Sequence, residues 1–242
     1  MKHFWRASLL SAAILGAATL SAGEVSLYYL PAARVEYEGT GYRQTANGWE
    51  LKVKPRGTGA GARWRHSLTE KLAAQVFYGR NTPFYAREDG NSYSGALRQT
   101  GQTKLAAQWV MADLRAPLAG SSVEAAAGLQ GVQASFRRKS IVFNQAVETV
   151  PSHERLQALG AYFGFHGGRG PGPAGRGFYW DGEADLGHLF FTRNRVTTGG
   201  GSIHADGFTY HLRLEAGWQR GAWRAGGGYL RELMQVMVPG GR

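Results

Sequence analysis

The chain has 242 residues, with 28 Lys and Arg against 17 Asp and Glu, 36 Gly, 8 Pro and no Cys. At 43% hydrophobic and 12% aromatic residues it is too apolar for a disordered protein, and its glycines, about twice the usual share, follow no collagen period. Without cysteine there is no disulfide framework, thiolate nucleophile, zinc knuckle or usual iron-sulfur site, so any chemistry rests on Ser, His and carboxylates.

Residues 1–23 read MKHFWRASLLSAAILGAATLSAG. Lys2 and Arg6 make a basic start, and residues 7–23 form a charge-free run rich in Ala and Leu. That pattern predicts a secretory signal peptide cleaved after Ala22 or Gly23, leaving 24–242 as one domain. Beyond it no charge-free stretch reaches the roughly 18 to 20 apolar residues of a membrane helix, whereas a barrel strand needs only about 9 to 11.

Period two then governs the chain. Val25, Leu27, Tyr29, Pro31, Ala33, Val35 and Tyr37 alternate with polar residues that include Arg34 and Glu36. Trp49, Leu51 and Val53 alternate with Glu50, Lys52 and Lys54, and a phase shift within Gly57–Gly61 predicts a bulge before Arg63, Trp64 and Arg65. Leu72 to Tyr78 make a third strand. Leu105, Ala107, Trp109 and Met111 are read as the apolar outer face of a fourth, and Val123 to Leu129 open a fifth that runs to Phe136 and Arg137-Arg138-Lys139. Leu159 to Phe165 mark the sixth. In the seventh, Phe178, Trp180, Ala184 and Leu186 oppose Asp181, Glu183 and Asp185, and in the eighth Phe208 to Trp218 oppose Arg213 and Glu215. Trp223 opens the ninth.

With strands running alternately up and down, Trp64, Trp109, Trp180, Trp218 and Trp223 fall at one end, and Tyr37, Trp49, Phe84, Phe136, Phe190 and Phe208 at the other. Two aromatic girdles around bands of Ala, Leu and Val suit the two interfaces of a bilayer. The inward face then holds Arg34, Glu36, Lys52, Lys54, Arg63, Arg65, Asp181, Glu183, Asp185, Arg213 and Glu215, a mixture of signs expected to neutralise itself.

The signal peptide, strands such as RVEYEG and GWELKVKPR, and the girdles resemble the small outer-membrane β-barrel proteins of Gram-negative bacteria. The resemblance implies an all-β, antiparallel up-and-down transmembrane barrel of eight to ten strands, monomeric, in the cell outer membrane, with a structural, adhesion or narrow-channel role. It implies membrane lipid and lipopolysaccharide as partners, the latter met by Arg137, Arg138 and Lys139. Such barrels have even strand numbers, so nine strands ending at VPGGR predict a missing tenth.

No catalytic residue, metal site or cofactor is expected. His204 and Asp206 in one long connection, and Glu88 and Asp89 in another, loosely resemble the acidic and Asp/His pairs of omptin proteases, but in reversed order. Ser152 beside His153 is a weaker suggestion of a lipid A hydrolase. The remaining alternative is a soluble secreted barrel with its apolar set turned inward. The isoelectric point near 10.1 does not indicate nucleic acid, because the basic residues are dispersed along strands.

Overall fold

A computed structural model describes residues 2–11, 17–20, 23–41, 49–53, 56–92, 98–143, 146–148, 153–170, 175–196, 206–221 and 223–237. Side chains are described at 23–30, 57–87, 100–139, 153–170, 175–193, 195, 207–221, 223–231, 233 and 234. The strands are β1 (Lys2–Ser11), β2 (Ala17–Leu20), β3 (Gly23–Gly41), β4 (Trp49–Val53), β5 (Arg56–Thr69), β6 (Leu72–Pro83) and β7 (Ala86–Ser92). They continue as β8 (Arg98–Pro117), β9 (Val123–Phe143), β10 (Ala146–Glu148), β11 (His153–Arg169), β12 (Arg176–Val196), β13 (Asp206–Arg220) and β14 (Trp223–Met237).

Every ladder is antiparallel, and the pairings return on themselves: β1–β3–β5–β6–β8–β9–β11–β12–β13–β14–β1. β4 and β7 prolong β5 and β6 toward one end, where β4 pairs with β3 and with β7. The fold is thus an antiparallel barrel. The nine strands expected from periodicity are all present, and the tenth place is taken by β1, from the segment the sequence reads as a leader. β1 lies antiparallel between β3 and β14 and covers their facing edges over residues 32–40 and 228–237.

One end of the barrel carries tight connections, such as Thr69 to Leu72 and the hydrogen-bonded turn from Leu118 to Val123. The longest connection between strands, residues 197–205, lies at the other. Alternation is visible in burial: along β6 the odd residues from Ala73 to Pro83 are buried, while Val76 and Tyr78 are exposed. The phase shift expected at Gly57–Gly61 is met by a bulge on the facing strand, between Leu30 and Ala33.

Among the described residues the middle of the interior is filled, while a cavity of about 230 Å³ opens at the tight-turn mouth beside Arg63, Glu124, His166 and Asp181. Leu105, Phe136, Leu156, Leu189 and Met234 pack together toward the long-connection end, and Leu30, Phe77, Trp109, Met111, Tyr162 and Leu230 pack in the middle. Trp109 is seated because residue 79 is Gly: a Cβ there would stand 2.4 Å from the indole. Gly79→Ala should therefore push the ring aside and destabilise the barrel by about 1 to 3 kcal/mol, read from its urea midpoint.

Here β8 departs from the sequence reading. Leu105, Ala107, Trp109 and Met111 face the interior, and Val110 and Leu114 face outward. Both faces of β8 are apolar enough to serve either role, so its own alternation does not choose between them. Asp113 and Arg115 decide: they share the phase of Trp109, and their charges find partners only inside.

Candidate functional site: a packed and charged lumen

Below the apolar middle, toward the tight-turn end, lies a layer of charge. β8 contributes Asp113 and Arg115, β12 contributes Asp181, Glu183 and Asp185, and β13 contributes Arg213 and Glu215, each at alternate positions that share one face. Register brings them together, since Glu183 stands opposite Arg213 and Asp181 opposite Glu215.

Arg115 lies fully buried and donates from Nε to Asp113 Oδ1 at 2.7 Å and from Nη2 to Glu183 Oε1. Tyr162 donates to Asp113 Oδ2 at 2.6 Å. Arg213 donates to Glu183 Oε2 at 3.1 Å, to Glu215 Oε2 at 3.1 Å and to Asp181 Oδ1. Arg63 reaches Asp181 and Glu24, each at 3.5 Å, and Ser26 at 3.3 Å. His166 spans Glu124 and Asp181, with a ring nitrogen 2.9 Å from each, and Arg65 pairs with Glu124. Arg224 and Glu24 meet at 3.1 Å near the mouth.

Each charge thus sits within hydrogen-bond reach of its opposite, which is how ions are kept in a dry interior. The carboxylates of Asp185 are the exception. Both oxygens are buried without a hydrogen-bond partner among the described residues. Asp185, Glu183 and His211 bring ligand atoms within 4.8 Å of one another, a spacing that could suit a metal ion. The Glu183 oxygens, however, already hold Arg115 and Arg213, whose charges oppose a further cation, so the cluster belongs to the ion network.

Of the lumenal residues expected from sequence, Arg63, Arg65, Asp181, Glu183, Asp185, Arg213 and Glu215 all face the interior. The side chains of Arg34, Glu36, Lys52, Lys54 and Trp49 lie outside the described residues, as do those of Glu88, Asp89, Ser152, His204 and Asp206. Sequence reasoning missed Asp113, Arg115, Glu24, Glu124, Tyr162, His166, Tyr179 and Arg224. An isolated charge in an apolar run was the available signal for the first two.

Trp64, Trp180, Trp218 and Trp223 are exposed at the tight-turn end and form a girdle. Trp109 leaves it, being an interior packing residue, and Phe136, expected in the opposite girdle, is 1% exposed and also interior. Arg138 likewise turns inward to Glu154 at 3.3 Å, because it alternates with the exposed Arg137 and Lys139. His153 hydrogen-bonds Ser135 across the β9–β11 ladder, with 2.7 Å between Nε2 and Oγ, on the outward face.

No family model matches the chain, and no curated protein matches it. Among solved structures, the β domain of the Bordetella autotransporter BrkA is similar at 13% identity, covering 98% of each chain with a TM-score of 0.31.

Proposed function

We propose that this chain is an outer-membrane barrel that serves as a structural or adhesion scaffold, held in lipid by its outer face and closed to solute flow by its packed lumen. The filled interior carries this reading. In the middle of the described interior the apolar cavity between Tyr28, Phe77, Trp109 and Leu230 is only about 30 Å³, room for a water or two and too small for a hydrated ion, whereas the wider space of about 230 Å³ lies at the tight-turn mouth beside Arg63, Glu124 and His166. Beneath it the paired charges of Arg115, Arg213, Asp181 and Glu183 form a second layer. The membrane part of the reading rests on the belt of exposed Leu27, Leu129, Leu159, Phe163, Leu186 and Leu214, and on the girdle of Trp beside it. An apolar belt of this kind opposes the soluble alternative, which needs those residues inside.

Reconstituted into planar bilayers, the refolded protein should show no steady channel steps. Sustained ohmic conductance would restore the narrow-channel reading.

We also expect no hydrolase activity. The Ser135–His153 contact lies beside Arg137 and Arg155, whose positive charges oppose the imidazolium that a general base must form. Incubation with a dibasic peptide and with lipid A should leave both intact. Cleavage of lipid A lost in Ser135→Ala and His153→Ala, or of the peptide lost in His204→Ala, would overturn this expectation.

A further inference from the structure

The lumen holds charges of both signs, but among the described residues one sector of the outer wall holds only cations. Across β6, β8, β9, β11 and β12, register aligns Arg80, Gln108, Gln133, Gln157 and Arg193 in a single rung. These residues face outward, because the alternating Asn81, Ala107, Ala134, Leu156 and Thr192 are buried. The next rung toward the tight turns is apolar, with Tyr78, Val110, Gly131, Leu159 and Phe191 aligned in the same way. The wall therefore changes from greasy to cationic within one rung, about 7 Å.

Above that boundary Arg80, Lys104, Arg137 and Arg155 line one groove of about 300 Å³, together with Gln108, Gln133 and Ser135, and no carboxylate among the described residues lines it. None of these four cations has a carboxylate partner among the described residues. Lys104 stands directly opposite Arg137, and Arg155 directly opposite Arg195. Like charges facing each other across a ladder are destabilising unless an anion lies between them. Tyr85 gathers cations at the same level, with the Lys104 and Lys139 ammonium groups each 5.7 Å from its ring centroid.

We propose that this groove binds the phosphate groups of a phosphorylated glycolipid whose acyl chains lie along the apolar rung beneath it. The inference rests on the membrane reading above. Guanidinium forks match phosphate oxygens, and the amide donors of Gln108 and Gln133 add to them. A lipid rather than free phosphate is indicated by the exposed Tyr78, Leu159 and Phe191, which give one ligand both a polar and an apolar contact.

The test uses the refolded full chain in phosphatidylcholine nanodiscs. Binding of lipid A, of dephosphorylated lipid A and of inorganic phosphate is compared for the native protein, for Arg80→Gln combined with Arg155→Gln, and for Arg220→Gln as a charge-matched control away from the groove. Lipid A should bind the native protein and the Arg220→Gln variant alike and bind the double variant about tenfold or more weakly, since two charge-assisted contacts to phosphate are lost. The dephosphorylated lipid should bind poorly to all three. Equal binding of both lipids, or no loss in the double variant, would overturn the proposal. Inorganic phosphate competing as well as lipid A would show a free-anion site and overturn it too. Native protein that fails to enter nanodiscs, judged by the absence of heat-modifiable migration, would instead remove the membrane reading on which the site depends.

Discussion

Arg115→Ala should destabilise the barrel by about 3 to 5 kcal/mol, because it strands Asp113 and Glu183 as buried charges with less compensation. Arg115 joins β8 to β12 across the lumen, so the loss is also a loss of a link between opposite walls. Asp185→Asn supplies the contrast. Neither Asp185 oxygen accepts a hydrogen bond among the described residues, so removing its charge relieves repulsion from Glu183 and should leave stability unchanged or improved. Urea unfolding in lipid vesicles measures both. A cost below about 1 kcal/mol for Arg115→Ala, or a cost for Asp185→Asn equal to it, would contradict the network described here.

Arg substituted for Leu27 or Leu129 should cost about 2 to 4 kcal/mol, since both side chains project from the outer wall where the bilayer core is expected. Leu129 is 63% exposed, a degree of burial at which Arg would be harmless in water. Phe178→Arg, equally exposed but beside the tight-turn end, should cost no more than about 1 kcal/mol because the cost falls toward the interface. The depth dependence is the informative quantity. Uniformly mild effects at all three positions would point to a soluble barrel.

Much of the fold was legible because alternation leaves a direct mark wherever one face is apolar and the other charged. β12 and β13 show this best: Phe178, Trp180 and Leu186 face outward, and Asp181, Glu183 and Arg213 face inward, as their sequence phase requires. β8 was misread because its interior face carries Leu105, Trp109 and Met111, residues as apolar as those it turns outward. A filled lumen removes the polar contrast on which the reading depends. That same error hid Asp113 and Arg115 and placed Trp109 in the girdle.

The tenth strand was illegible for another reason. β1 comes from KHFWRASLLS, whose basic start and apolar run read as a leader, and it shows itself as a strand only through its pairing with β3 and β14. The cationic groove was equally invisible, since Arg80, Lys104, Arg137 and Arg155 come from four strands and meet only through register. Sequence reasoning marked Arg137, Arg138 and Lys139 because they follow the expected outer aromatic level at Phe136, although alternation sends Arg138 inward to Glu154.

If the apolar belt faces lipid while the lumen is packed with side chains, tryptophan quenching by brominated acyl chains separates the two faces. Two variants are needed, one retaining only Trp218 and one retaining only Trp109, with the other tryptophans replaced by Phe. In vesicles of brominated lipid, Trp218 emission should be strongly quenched because its ring is 55% exposed on the outer wall, while Trp109, 4% exposed inside, should keep its emission. Equal quenching of the two would put Trp109 on the lipid face and leave the lumen unfilled, and quenching of neither would take the barrel out of the membrane.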